Sequence, residues 1–106
     1  MIRATVTTVG GNVVVALDGA VDLASVGTLH GDLARVVRRH PSDVIIIDLD
    51  GVDTLDDAGL GILLGAAASA REAGGDIEVV CTRSTLRDRL ERTRFDRAIT
   101  VRSTIA

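Results

Sequence analysis

Segments typical of β-strands alternate with segments of helical periodicity along almost the whole chain. Two strand-like runs come first, joined by Gly10-Gly11-Asn12, whose glycines suit a tight turn. Strands that alternate with helices favour a largely parallel sheet, and an initial hairpin adds one antiparallel pair. The sequence therefore predicts a single α/β domain over residues 1–106, with a mixed, mostly parallel sheet flanked by helices in the order ββαβαβαβ.

The first predicted helix has the clearest periodicity. Its apolar residues recur at spacings of three and four, as on one helix face: Leu23, Val26, Leu29, Leu33, Val36 and Val37. Asp22 stands directly before this stripe, where its carboxylate can accept an amide hydrogen bond as the N-cap. Pro41 predicts that the helix ends near Arg39.

The other elements follow from aliphatic runs and the residues that interrupt them. The predicted strands are 3–9, 13–17, 44–47, 77–81 and 99–101. Gly19 is expected to close the hairpin, and the continuous aliphatic run 44–47 is typical of a central strand covered on both faces. A loop over 49–58 leads into a second helix from about Ala58 to Ala73, which Gly74-Gly75 ends.

Charge is distributed unevenly along the chain. Residues 1–57 carry nine acids and four arginines, whereas residues 58–106 carry six acids and eight arginines. Many of the later arginines fall on a third predicted helix, capped by Ser84, with Leu86 and Leu90 inward. Its outer face alternates in sign, as the i,i+4 pairs Arg87/Glu91 and Asp88/Arg92, and no aromatic stacking platform accompanies the arginines. This pattern indicates a solvated helix face, so we expect no direct contact with nucleic acid.

Composition excludes several classes of site. All 12 basic residues are arginines, which excludes a Walker P-loop, a Schiff base and the lysine of a receiver domain. A single cysteine, Cys81, and two histidines, His30 and His40, give no metal-ligand cluster, so no metal or cofactor is expected. Cys81 ends an apolar strand, which favours core packing over a redox role.

Neither a membrane span nor a secretory signal is visible in the sequence. No apolar run approaches the roughly 18 residues that a span needs, and the first residues lack the charged and apolar regions of a signal peptide. We therefore expect a cytoplasmic protein that does not insert into membranes.

An acidic segment between the central strand and the second helix is the strongest candidate for function. It contains Asp48, Asp50, Asp53, Asp56 and Asp57. The carboxyl end of a central strand is where open α/β folds place their sites. A calcium loop starting at Asp48 would need glycine at its sixth position and glutamate at its twelfth, but these are Asp53 and Gly59. The segment therefore does not predict a metal site.

A dinucleotide fingerprint is a second interpretation of this segment. Gly59, Gly61 and Gly65 open the second helix, and Glu78 follows about twenty residues later. However, the first glycine should turn directly off the strand, and the predicted loop intervenes. Small residues that let a helix pack closely are the simpler explanation.

The amino end of the second helix is the third interpretation. The unpaired amides and the dipole of a first turn favour negative charge by about 0.3–1 kcal/mol. Asp56 and Asp57 stand there, either as part of a partner surface or only as helix caps.

Several of these features together resemble the STAS domain family, and more narrowly the bacterial anti-sigma factor antagonists. The resemblance rests on Val44-Ile45-Ile46-Ile47-Asp48-Leu49, on Val52 to Gly61, on Gly74-Gly75, on Val79-Val80-Cys81 and on Gly19-Ala20-Val21-Asp22. It implies a protein that acts by binding rather than catalysis. Its partner would be an anti-sigma factor of the serine-kinase type, and the effect would be on sigma-factor-dependent transcription. A small ligand- or nucleotide-binding STAS module within a sensory or transport assembly is the alternative.

The resemblance also implies a site. The family motif is usually Asp-Ser-Ser-Gly-Leu or Asp-Ser-Thr-Gly-Leu, and the partner kinase phosphorylates the first serine. In that family the unphosphorylated antagonist binds the partner and releases the sigma factor, and phosphorylation ends the binding. Aligned residue by residue, Asp56 matches the motif aspartate, Asp57 takes the phosphoacceptor position, and Ala58 follows it. Gly59 and Leu60 match the rest of the motif. With Asp22, these five residues form the predicted partner surface.

Asp57 departs from the family at the position of the serine that is phosphorylated. Aspartate has no hydroxyl to phosphorylate, and it carries one negative charge where phosphoserine carries about −1.5 to −2. Either Asp57 fixes a phospho-like state, or the partner is matched to an acidic loop. The sequence leaves both alternatives open.

Overall fold

The computed structural model describes residues 2–105, so Met1 and Ala106, the ends of the predicted domain, lie outside the described residues. Its elements are β1 (Arg3–Val9), β2 (Asn12–Val21), a 3₁₀ turn (Leu23–Ser25), α1 (Val26–Arg39), β3 (Val44–Leu55), α2 (Asp57–Glu72), β4 (Asp76–Val80), α3 (Ser84–Arg92), α4 (Phe95–Ala98) and β5 (Thr100–Arg102). The sheet order is β1-β2-β3-β4-β5; β1 is antiparallel to β2, and the other neighbours are parallel. The predicted mixed α/β fold is confirmed.

The helices described here cover one face of the sheet. Their inward residues pack with Ile45, Ile47 and Leu49 of β3 in one hydrophobic cluster, which also includes Leu29, Leu33, Leu63, Leu90 and Phe95. On the opposite face Ile46 is buried in a small cluster with Val14 and Val80, against which Ile105 packs. Residues 45–47 of the aliphatic run are thus buried on both faces of the sheet, but by helices on one face only, whereas Val44 at the start of β3 is 43% exposed.

Strand β3 is longer than its aliphatic run predicts. It continues to Leu55, so the predicted loop over 49–58 is wrong and only Asp56 separates β3 from α2. Its second half is held by parallel pairing with β2, which continues past Gly19 instead of closing there, through two register shifts. Gly51 makes this pairing possible because a Cβ there would collide with Asp18. Asp48, Asp50 and Asp53 therefore lie on a strand, Asp56 lies between β3 and α2, and Asp57 is the first residue of α2.

The amino end of the first helix also differs from the prediction. Asp22 is a cap as expected, but it caps a 3₁₀ turn through a capping box with Ser25, and α1 begins only at Val26. The 3₁₀ turn breaks the helical period, so Leu23 points outward with 76% of its surface exposed. The rest of the predicted stripe is confirmed as buried from Leu29 onward, and α1 ends at Arg39.

Helix α3 has the predicted inward residues but not the predicted caps and pairs. Leu86 and Leu90 are buried. Arg83 is the N-cap residue and Ser84 makes no side-chain cap, so that prediction is wrong. The guanidinium of Arg87 donates to the carbonyl of Cys81 at 2.8 Å instead of pairing with Glu91. Arg87 therefore makes a tertiary contact instead of belonging only to a solvated face.

Cys81 is fully buried, in agreement with the predicted core role. Its sulfur lies 3.7 Å from the carbonyl oxygen of Arg83. Burial removes the thiolate from water and so raises the pKa of the Cys81 thiol above its ordinary value of 9.0. The folded protein therefore keeps a poorly reactive thiol.

We expect Cys81 to control the alkaline stability of this chain. The unfolded chain loses the thiol proton near pH 9.0, whereas the folded chain retains it, so stability falls as pH rises, by at most about 1.4 kcal/mol per pH unit. The chain has no lysine and no tyrosine, so no other side chain titrates between about pH 9 and 11.

Urea denaturation at pH 8 and pH 10 of the wild type and Cys81→Ala checks this expectation. At pH 8 the alanine variant should be less stable by about 1–2 kcal/mol. At pH 10 the difference in the free energy of unfolding between the two proteins should be smaller, because only the wild type loses stability through the thiol. A constant difference, or rapid alkylation of the native thiol, would contradict the assignment.

Candidate functional site

The turn between β3 and α2 is built around Asp56. Its Oδ1 accepts the amide of Gly59 at 2.9 Å, which caps α2, and its Oδ2 accepts the amide of Leu23 at 3.2 Å. Its own amide donates to the carbonyl of Val21 at 3.1 Å. Asp56 therefore ties the end of β3, the start of α2 and the 3₁₀ turn together, and both of its carboxylate oxygens are used.

Asp22 and Leu23 lie beside this turn because β2 and β3 are parallel neighbours whose carboxyl ends meet at one edge of the sheet. The Asp22 carboxylate accepts the amide of Ser25 at 3.1 Å, and the Ser25 hydroxyl accepts the amide of Asp22 at 3.0 Å. This reciprocal pair fixes the 3₁₀ turn and directs Leu23 to solvent. We call Asp22, Leu23, Asp56, Asp57 and Ala58 the acidic turn.

Asp57 is the most exposed member of the predicted motif. Its side chain is 93% exposed, and its Oδ1 accepts a hydrogen bond of 2.9 Å from Nη2 of Arg89 on α3. Ala58, the next residue, is half-buried. The position that would carry a phosphoacceptor serine thus faces solvent, with one arginine beside it.

Gly59 and Leu60 are buried and support the turn from within. A Cβ on Gly59 would lie 2.5 Å from both the carbonyl oxygen and Cγ1 of Val21, so only glycine lets α2 start this close to β2. Leu60 is 6% exposed and belongs to the aliphatic core. These two residues shape the acidic turn, and their predicted contact with a partner stays a prediction.

The other interpretations of the acidic segment find no site in the described structure. Within residues 2–105, no group of three or more His, Cys, Asp or Glu side chains is arranged to hold a metal ion. The dinucleotide interpretation fails because Gly59 packs against Val21 of β2 and Glu78 is paired with Arg102 at 3.2 Å. Gly61 and Gly65 instead line a groove of about 300 Å³ between α1 and α2.

Sequence reasoning missed two residues of this region. Leu23 is an exposed apolar side chain that the helical stripe had placed inward. Arg89 reaches Asp57 from 32 residues further along the chain, and no local pattern could have paired them.

In the described part of the chain, no helix is both long and apolar enough to cross a membrane.

Comparison with known proteins assigns the family. The model of the STAS domain matches residues 3–106. Among solved structures, an anti-sigma factor antagonist from Mycobacterium paratuberculosis is 26% identical, with a TM-score of 0.86 over 99% of this chain and 88% of that one. No curated protein sequence matches the chain.

Two more distant structures share the fold alone. The anti-sigma factor antagonist SpoIIAA in its unphosphorylated form is 17% identical, with a TM-score of 0.74 over 95% of this chain and 89% of that one. A sulfate transporter family protein from Wolinella succinogenes is 22% identical, with a TM-score of 0.74 over 93% and 82%. Because the family model matches nearly the full length of this chain, the chain belongs to the STAS domain family.

Proposed function

We propose that this protein is an anti-sigma factor antagonist of the bacterial cytoplasm. It binds an anti-sigma factor of the serine-kinase type by partner switching, controls sigma-factor-dependent transcription, and acts by binding rather than catalysis. One observation carries the proposal: the acidic turn presents Asp57 to solvent at the start of α2, where the family motif has its phosphoacceptor. The likeness to the mycobacterial antagonist supports the choice of partner.

Asp57 changes how such a protein would be regulated. The carboxylate has no hydroxyl to accept a phosphoryl group, and Ala58 removes the second hydroxyl of the usual motif. Thr54, on β3, is the only hydroxyl between residues 52 and 60. We therefore expect that the partner's kinase activity does not switch this chain off at the acidic turn.

A binding and phosphorylation assay tests the proposal. Purified anti-sigma factors from the organism that encodes this chain are mixed with it, with and without ATP. One of them should form a stable complex and release its sigma factor, and mass spectrometry should find residues 52–60 without phosphate. Phosphate on Thr54 would contradict the regulatory part of the proposal. The absence of any complex would contradict the function itself.

A small-ligand module is the second candidate. The groove between α1 and α2 favours it, because His30, Ala34 and Ser69 line an open space of about 300 Å³ there. A bound ligand stabilises the folded state by mass action. A rise in the melting temperature with a nucleotide alone, and no complex with an anti-sigma factor, would favour this candidate over the first.

A further inference from the structure

The ion pair between Asp57 and Arg89 joins the start of α2 to α3. Nη2 of Arg89 donates to Oδ1 of Asp57 at 2.9 Å. The Arg89 side chain is only 34% exposed, and its Nε is buried with no acceptor in the described structure. Packing therefore holds one edge of the guanidinium against the protein while the other edge meets the carboxylate.

The charge of the acidic turn follows from this pair. Asp22 and Asp56 match acidic positions of the family motif, and both accept backbone amides. Asp57 adds one negative charge where an unphosphorylated serine would add none, and Arg89 adds one positive charge within hydrogen-bonding distance. The pair sums to zero, which is the charge that an unphosphorylated serine with no arginine beside it would contribute to the turn.

We propose that Arg89 is a specificity-determining residue that neutralises Asp57 and so keeps the acidic turn in the form that binds the anti-sigma factor. This inference rests on the proposed function and adds its regulation. Phosphoserine carries a charge of about −1.5 to −2, which is more than one arginine cancels. In this chain the carboxylate imitates a phosphoserine only when Arg89 is absent. The paired wild type therefore behaves as the unphosphorylated form.

A double-mutant cycle on the affinity for the anti-sigma factor tests the inference. The four proteins are the wild type, Arg89→Gln, Asp57→Ser and the double variant. With Asp57 present, Arg89→Gln exposes an unpaired carboxylate and should weaken binding about tenfold or more. In the Asp57→Ser background, the carboxylate that Arg89 neutralises is absent. Arg89→Gln should therefore change the affinity by less than about threefold.

Two control variants separate charge from structure. Arg89→Lys keeps the positive charge and should retain most of the affinity, which a purely packing role of the side chain would not predict. Arg92→Gln removes the same charge from the same helix at a residue without a salt bridge in the described structure, and should leave the affinity unchanged. The inference would be overturned if Arg89→Gln changed the affinity equally in the wild type and in Asp57→Ser, or if it did not change the affinity of the wild type.

A measurement without the partner keeps this inference distinct from the proposed function. In urea at low salt, Arg89→Gln should raise the unfolding constant about 1.5- to 3-fold more in the wild type than in the Asp57→Ser background, because an exposed pair contributes little. This coupling should vanish in about 1 M NaCl, where charges are screened. No coupling at low salt would overturn the inference. Coupling in a wild type that binds no anti-sigma factor would refute the proposed function and leave the neutral pair standing.

Discussion

Gly59→Ala is expected to destabilise the protein by about 1–3 kcal/mol. The new Cβ would lie 2.5 Å from the carbonyl oxygen of Val21 and from its Cγ1. A backbone atom cannot rotate away as a side-chain end can, so α2 must shift from β2. The same carbonyl accepts the amide of Asp56, and the shift should therefore also distort the acidic turn.

Gly61→Ala is the matched control in the same helix. A Cβ at Gly61 would meet nothing within 4 Å, so only helix propensity changes, and the variant should be more stable by about 0.5–1 kcal/mol. Chemical denaturation of both variants should show a lower free energy of unfolding for Gly59→Ala and a higher one for Gly61→Ala. Equal destabilisation by the two alanines would contradict the close approach of α2 to β2.

Leu23→Glu is expected to weaken binding to the anti-sigma factor by about 10- to 100-fold, or about 1.4–2.8 kcal/mol. Leu23 is 76% exposed, and its amide is held by Asp56, so it offers an apolar contact fixed beside carboxylates. A glutamate there removes that contact and adds a like charge. Because the side chain is exposed, the free energy of unfolding should change by no more than about 0.5 kcal/mol.

Val9→Glu is the control for this substitution. Val9 is also an exposed apolar residue, 45% accessible, but it lies at the hairpin end of the sheet, opposite the carboxyl ends of β2 and β3. Calorimetric titration of both variants should show a loss of affinity for Leu23→Glu alone. Similar losses would indicate a general charge effect rather than a contact at the acidic turn.

The sequence predicted the elements whose periodicity is strong and local. The stripe from Leu29 to Val37 and residues 45–47 of the aliphatic run are buried where expected, because each follows a regular local pattern. The second half of β3 could not be predicted in this way. Its aspartates and Gly51 are poor strand formers, and it is a strand because β2 pairs with it through irregular register.

The candidate site was predictable in part. Asp22 and Asp56 are caps, as their positions before helical segments indicated. The exposure of Leu23 was not predictable, because the short 3₁₀ turn that Asp22 caps rotates it out of the α-helical stripe. The contact between Asp57 and Arg89 depends on the placement of α3 beside the start of α2, which is a feature of the tertiary structure. The sequence pattern suggested only helix-internal pairs for the α3 arginines.

Mapping the partner surface by NMR tests whether the acidic turn binds the anti-sigma factor. Uniformly ¹⁵N-labelled protein is titrated with the anti-sigma factor, and amide shifts are followed residue by residue. We expect the largest changes on residues 22–25 and 56–61 and on Arg89, with the hairpin at 9–12 unaffected. Shifts confined to the hairpin, or to the sheet face around Val14 and Ile46, would contradict the assignment of the acidic turn as the binding surface.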